Sequence, residues 1–147
     1  MQAAASRLDD WKVLSKRENR RKACTIHLGG IYIECLLKGM LCSQHKVEEI
    51  KKGTRWIIDE ENTQSRPNHG LNINLYTSYL SDVYDDMSEE MLEALRYLDS
   101  PEGIGYINYR YISEDEVDDK VFEKWMDKFT IIFGYLEKKS VRCKKGR

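Results

Sequence analysis

Residues 20–42 of the chain read RRKACTIHLGGIYIECLLKGMLC. This is the only long segment that is mostly apolar and still carries ionisable groups at one helical spacing. At 100° per residue its apolar side chains cover about half of a helix surface, so several neighbours can pack on it. We therefore predict that it forms the central helix of the fold.

A line of ionisable residues runs along this predicted helix. His27, Glu34 and Lys38 are separated by seven and four residues, and Arg20 extends the same line. Residues at these spacings stack within roughly 60° on one face of a helix. Glu34 has apolar neighbours, and an ionised carboxylate removed from water without a partner costs several kcal/mol. The carboxylate therefore needs a cation or a set of hydrogen-bond donors.

Two interpretations of this polar line are open. Glu34 and Lys38 form an ordinary structural ion pair and His27 is a satisfied core histidine, or the line faces a cleft or subunit interface and binds a ligand. The Gly29-Gly30 pair favours the second. Two glycines inside a helix cost on the order of 1 kcal/mol each, which indicates the close approach of another backbone.

Length and composition predict one globular domain, residues 1–147. The chain of 147 residues is 41% hydrophobic and 33% charged, with a net charge of −1. No uniformly basic surface for nucleic acid is implied. Basic residues are nevertheless concentrated at residues 16–22 and in a tail at 140–147. These clusters are either solvated faces or converge on a phosphate backbone.

The cysteine pattern is typical of reduced thiols in a cytoplasmic protein, because the four cysteines include no CxxC pair. The spacing of Cys35, Cys42 and His45 matches no structural zinc site, so we expect neither a metal nor another cofactor. The N-terminus has no apolar export segment. The longest apolar run, residues 31–42, is short and carries charges, so we expect no membrane span.

Apolar periodicity predicts further helices around the central one. We expect them at residues 3–16, at 71–83, after an N-cap at Ser88, and at 116–139. The short polar link before the central helix predicts that the first two helices form an antiparallel hairpin. Residues 43–68 have a weak pattern, and we interpret them as a variable insertion.

The segment Tyr106 to Ile112, YINYRYI, alternates aromatic and polar residues. No second strand accompanies it, and we predict an extended loop because a lone strand cannot be satisfied. Tyr106, Tyr109 and Tyr111 around Arg110 either stack nucleobases or anchor the loop on the core. Together the segments predict an all-α, antiparallel up-and-down bundle of four to five helices.

The central segment resembles a known family. HLGGIYIECLLKGML, at His27 to Leu41, is similar to the central-helix signature of the HEPN (higher eukaryote and prokaryote nucleotide-binding) domain family, in which a small-residue pair precedes an aromatic residue, a glutamate and a lysine. The likeness extends to SRLDDWKVL near the start, to His69-Gly70-Leu71, and to Tyr109-Arg110-Tyr111 before the final helix. It covers nearly the whole chain in order.

This resemblance implies an up-and-down helical bundle that commonly forms a homodimer. Members of the family occur in bacterial toxin–antitoxin, antiphage and RNA-processing systems, and beside nucleotidyltransferases. Many are metal-independent ribonucleases, in which an arginine stabilises charge on the reacting phosphate and a histidine moves the 2′-hydroxyl proton. The two residues are usually separated by four to six positions near the start of a late helix.

The chain departs from that catalytic pattern. No histidine follows Arg110, since the histidines are His27, His45 and His69. Arg66 precedes His69 with only two residues between them, which is too short. Arg20 and Arg21 precede His27 at a suitable spacing, but in the central helix.

Three functions are therefore open. The first is binding of a nucleotide, RNA or a partner protein, such as a nucleotidyltransferase or antitoxin, without chemistry. The second is a ribonuclease toxin with His27 or His69 as base and Arg20, Arg66 or Arg110 as phosphate ligand. The third is a purely structural dimeric adaptor. The predicted ligand-binding residues are Arg20, His27, Glu34, Lys38, His69, Arg110 and Tyr111.

Overall fold

The structure is a computed structural model of the chain, and it describes residues 2–16, 21–45, 73, 77 and 80–145. Every regular element in these ranges is a helix, so the prediction of an all-α fold is confirmed for the described residues. The α-helices among them are α1 (Gln2–Leu14), α2 (Lys22–His45), α3 (Ser81–Tyr84), α4 (Glu89–Asp99) and α5 (Asp119–Lys145). Three 3₁₀ helices lie between α4 and α5, namely η1 (Pro101–Gly103), η2 (Tyr106–Tyr111) and η3 (Glu114–Glu116).

Helix α2 is the central element, as predicted. It packs against α1, α5 and η2. Its fully buried side chains recur at helical spacing and include Ile26, Ile33, Leu37 and Leu41. The helix continues to His45 and so contains the first residues of the predicted insertion at 43–68, whose remainder lies outside the described residues.

Helices α1 and α2 pack as an antiparallel pair. The amide of Arg21 donates to the carbonyl oxygen of Leu14 at 3.3 Å, which closes the link between them. One turn further from this link on α1, Trp11 lies against Gly29, which is two turns into α2. The contacts therefore run in opposite chain directions, and the predicted hairpin is confirmed.

Helix α5 presents a continuous apolar stripe to α2 and α4. The residues of this stripe are buried at spacings of three and four, and they are Phe122, Trp125, Phe129, Ile132 and Leu136. Phe129 stacks on Trp11 with ring centroids 4.5 Å apart, so α5 also contacts α1. The helix begins three residues after the predicted start and continues to Lys145, into the predicted basic tail at 140–147.

Helix α4 begins as the sequence predicts. The Ser88 hydroxyl accepts a hydrogen bond from the Met91 amide at 3.3 Å, which satisfies one free donor of the first turn. Glu89 and Glu90 follow in that turn, where the helix dipole favours acidic groups. Leu98 is fully buried, one residue before the helix ends at Asp99.

The predicted helix at 71–83 is interrupted. Ile73 and Thr77 are helical and buried, while the residues between them lie outside the described ranges. Leu80 has φ −110° and ψ 72°, which is not helical, and α3 starts only at Ser81. The prediction of one helix continuing to Val83 is therefore wrong at Leu80. The side chain of Leu80 is nevertheless fully buried, so the apolar spacing of this segment correctly indicated burial but not a continuous helix.

The predicted extended loop at 106–112 is wrong, because the segment forms the 3₁₀ helix η2. A 3₁₀ helix has three residues per turn, so side chains at i and i+3 lie on one face. Tyr106 and Tyr109 have this spacing and are 1% and 3% exposed. The anchoring interpretation is therefore correct for these two tyrosines.

By length and composition, one helical window of the described residues, Lys22–Leu41, could cross a membrane. This window contains most of the apolar run at 31–42, and the expectation of no membrane span stays a prediction. Within the domain 61% of the window is buried, and core helices of globular proteins pass the same test.

Candidate functional site

Glu34 and Lys38 form the predicted structural ion pair on α2. The Glu34 residue is only 5% exposed, and its Oε1 pairs with Lys38 Nζ. The hydroxyl of Tyr106, from η2, donates to Glu34 Oε2 at 3.5 Å. The Lys38 side chain is 26% exposed, so the lysine is partly in contact with solvent while the glutamate is buried. The carboxylate has the cation and the donor that burial requires.

The two glycines of α2 make room for aromatic rings. A Cβ atom on Gly30 would overlap the Tyr106 ring, and one on Gly29 would overlap the Trp125 indole. The expected approach of another backbone is therefore wrong, since side chains from η2 and α5 fill these gaps. At Gly30 the absent side chain lets η2 lie directly on α2.

His27 is half-buried on α2, and its neighbours come from two other elements. Burial lowers the pKa of its imidazole, because it penalises the charged ring. A hydrogen bond with the Tyr106 backbone raises the pKa, while the positive charges of Arg110 and Arg7 lower it further. The net direction is downward, so the imidazole is neutral at pH 7. The predicted site residues His27 and Arg110 thus lie within electrostatic range of each other, and so does Arg7 of α1.

Arg110 and Tyr111 form the exposed part of η2. The Cζ atom of Arg110 lies 4.5 Å from the centroid of the Tyr111 ring, and the Tyr111 residue is 74% exposed. Within the described ranges no carboxylate forms an ion pair with Arg110. The guanidinium therefore keeps its donors available for a ligand while resting on an aromatic ring.

We call the surface formed by Arg7, His27, Arg110 and Tyr111 the η2 face. Arg7 also pairs with Asp10 at 3.4 Å, but both side chains are about half exposed, so that pair is screened by water. Lys38 is not part of this face, because it lies eleven residues from His27 on the same helix, about 16 Å along the helix axis. The η2 face therefore combines positive charge, a neutral imidazole and an exposed ring.

Several predicted site residues lie outside the described ranges. These are Arg20, Arg66 and His69, so the structure tests neither the spacing of Arg20 before His27 nor that of Arg66 before His69. Among the residues that the structure describes, no three His, Cys, Asp or Glu side chains form a cluster that could hold a metal ion.

No pattern in the sequence indicated Arg7, because its position relative to His27 depends on how α1 pairs with α2. Sequence reasoning also missed Glu114. The Glu114 carboxylate accepts hydrogen bonds from the amides of Ala23 at 3.0 Å and Cys24 at 3.3 Å. These are free donors in the first turn of α2, so η3 supplies the cap of the central helix. Burial and Glu114 together raise the pKa of the Cys24 thiol.

Comparison with protein-family models, with curated proteins and with solved structures finds no match to this chain. The HEPN likeness therefore rests on the sequence motifs quoted above. The functions proposed below depend on the contacts, burial and charges of the η2 face.

Proposed function

We propose that this HEPN-like helical domain binds RNA or a nucleotide through the η2 face, with Arg110 as the principal phosphate ligand. Binding without catalysis is the primary proposal. Arginine is suited to the role because its planar guanidinium donates two parallel hydrogen bonds to phosphate oxygens.

The observation that carries this proposal is that Arg110 is exposed and over the tyrosine ring, with no carboxylate paired to it among the described residues. Some other cations of the described chain are paired with acids, such as Lys124 with Glu102 and Lys139 with Asp86. The buried carboxylate of Glu34 is paired with Lys38, so it adds no uncompensated negative charge. The positive charges of Arg110 and Arg7 therefore act together on a ligand at the η2 face.

The test is fluorescence anisotropy of a short labelled single-stranded RNA, measured across a salt series. Substitution Arg110→Ala is expected to weaken binding and to reduce the salt slope by about 0.7, the value for one lost phosphate contact on a single strand. The matched control is Arg96→Ala, which removes an exposed arginine from the last turn of α4. Equal effects of the two substitutions, or no binding at low salt, would overturn the proposal.

A second candidate function is metal-independent RNA cleavage, and the neutral imidazole of His27 beside Arg110 favours it. A neutral imidazole can take the proton of a 2′-hydroxyl. The resulting alkoxide attacks the adjacent phosphorus and forms a 2′,3′-cyclic phosphate, while the bond to the 5′-oxygen breaks and that oxygen takes up a proton from water to become the 5′-hydroxyl. The Arg110 guanidinium would stabilise the charge that develops on the phosphate oxygens.

Cleavage is tested by incubating labelled RNA with the protein in EDTA and separating the products on a denaturing gel. Substitutions His27→Ala and Arg110→Ala are expected to abolish cleavage, and His69→Ala tests the other predicted base. Cleavage that survives His27→Ala and Arg110→Ala would exclude this pair as the catalytic residues. RNA binding without any cleavage would favour the primary proposal.

From the family resemblance alone we also propose an up-and-down bundle, a homodimer and a cytoplasmic role in a bacterial toxin–antitoxin, antiphage or RNA-processing system. A nucleotidyltransferase or an antitoxin is the proposed protein partner. Light scattering is expected to give twice the 17.3 kDa mass of one chain. A dimer that binds no RNA or nucleotide would instead indicate a structural adaptor.

A further inference from the structure

We infer that Tyr111 is a stacking platform for an unpaired nucleobase, so that the η2 face selects single-stranded over duplex RNA. This inference rests on the proposed function and names the class of its ligand. It concerns the base, whereas the proposed role of Arg110 concerns the phosphate.

The geometry of η2 explains why Tyr111 faces the solvent. Three residues per turn place Tyr106 and Tyr109 on the buried side of the 3₁₀ helix. Tyr111 is two positions after Tyr109 and so lies on another side, where it is 74% exposed. The Tyr106 ring lies on Gly30 of α2, and the Tyr109 hydroxyl donates to the carbonyl oxygen of Pro101 at 3.5 Å. Tyr111 therefore projects from an anchored segment rather than from a long loop.

Arg110 occupies one face of the Tyr111 ring and leaves room on the other. Its Cζ atom is 4.5 Å from the ring centroid, which is a cation–π distance. A base that stacks on the open face completes a sandwich of guanidinium, phenol and base. Such stacking is tolerant of sequence, because every base has a π face.

Only an unpaired base can reach this position. In an A-form duplex each base is already stacked on both sides, and the groove accessible to side chains displays 2′-hydroxyls and base edges. A ring on the protein surface therefore has no base face to contact in a duplex. Phosphate contacts alone would not distinguish the two forms in this way.

Tyr111 is also the most exposed large apolar residue of the described chain. The others are Val13 at 53%, Ile104 at 42% and Tyr84 at 40%. Tyr84, on α3, is a matched control, since it is an exposed tyrosine for which the described residues show no cation over the ring.

The experiment compares three labelled probes by fluorescence anisotropy at one salt concentration. They are a single-stranded RNA, a blunt duplex of the same sequence, and the same strand with abasic positions. The proteins are wild type, Tyr111→Ala, Tyr111→Phe and Tyr84→Ala, each checked for its fold by circular dichroism. Phenylalanine keeps the ring, and alanine removes it.

Tyr111→Ala is expected to weaken single-strand binding about 5- to 150-fold, the range of one base–aromatic stack. Tyr111→Phe and Tyr84→Ala should bind within about twofold of wild type, since each retains the Tyr111-position ring. The duplex and the abasic strand should bind wild type more weakly than the intact strand, and Tyr111→Ala should barely change their affinities.

Equal affinity of Tyr111→Ala and wild type for the single strand would overturn the inference, as would equal binding of intact and abasic strands. If Arg110→Ala still reduces affinity and salt slope in that case, the proposed function survives and only the base contact is wrong. If Tyr111→Ala changes the mass in light scattering but not the RNA affinity, the ring belongs to an interface between chains.

Discussion

Replacing Gly30 with alanine tests the packing on which the η2 face depends. The added Cβ would lie closer to three carbons of the Tyr106 ring than the 3.0 Å that real Cβ atoms keep. Tyr106 is 1% exposed, so its ring has no open space into which it can move. Overpacking a core costs about 1–3 kcal/mol, and the better helix propensity of alanine returns about 1 kcal/mol. With the upper end of that range, the net loss is about 2 kcal/mol.

The assay is urea unfolding followed by circular dichroism, with thermal unfolding as a second measurement. A loss of about 2 kcal/mol corresponds to a decrease in Tm of roughly 4–8 °C for a chain of this size. RNA affinity, measured where the variant is still folded, should also fall, because a displaced Tyr106 moves the 3₁₀ helix that carries Arg110.

The control is Gly134→Ala in α5, since no heavy atom lies within 4 Å of a Cβ built at Gly134. Here the gain in helix propensity stands alone, and we expect a stabilisation of about 0.5–1 kcal/mol. If Gly30→Ala were as stable as Gly134→Ala, Tyr106 could not fill the gap at Gly30, and the account of η2 would be refuted.

Further substitutions test the Glu34–Lys38 pair, the titration of His27 and the cap of α2. Lys38→Met is expected to lower the free energy of unfolding by about 2 kcal/mol, less than for a fully buried pair because Lys38 is 26% exposed. Adding Glu34→Gln to this variant should recover most of the loss, as measured by urea unfolding. If the double variant were as unstable as Lys38→Met alone, the ion pair would be contradicted. The pKa of His27 is lowered from 6.5 in the folded state, so protonation favours the unfolded chain, and the free energy of unfolding should fall as pH drops through 6.5 toward the folded-state pKa. His27→Gln should lessen that dependence, and an unchanged pH profile would show that His27 titrates normally. Glu114→Ala should cost about 1 kcal/mol through the lost cap, while the exposed neighbour Glu116→Ala should cost less than about 0.5 kcal/mol.

The main helices could be predicted because their apolar spacing is strong and their termini carry local signals. Helix α5 has apolar residues at every third or fourth position over most of its length, and Ser88 marks the start of α4 within one residue. Periodicity also identified Glu34 and Lys38 as a pair, since residues four apart on a helix are neighbours whatever the fold. Local geometry alone decides these features.

Features that depend on the tertiary arrangement were missed. The segment at 106–112 alternates like a strand, and only its position on α2 makes a 3₁₀ helix with two buried tyrosines the better arrangement. The Gly29-Gly30 pair indicated a close approach but not what approaches. Arg7 and Glu114 reach their partners through the pairing of α1 with α2 and of η3 with α2, and no spacing within either segment encodes those registers.

The buried Tyr106 ring connects the η2 face to the central helix. Tyr106 fills the space left by Gly30, and its hydroxyl reaches the carboxylate of Glu34, so a change at any of these residues moves the scaffold. Arg110 and Tyr111 lie on the exposed side of the same 3₁₀ helix, where truncation removes no buried contact. An altered affinity in their variants can therefore be attributed to the ligand, whereas an altered affinity at Gly30 reports first on the position of η2. The reason is that a 3₁₀ helix has three residues per turn. Tyr106 and Tyr109 therefore lie on the buried side, while Arg110 and Tyr111, which follow them in sequence, lie on the exposed side.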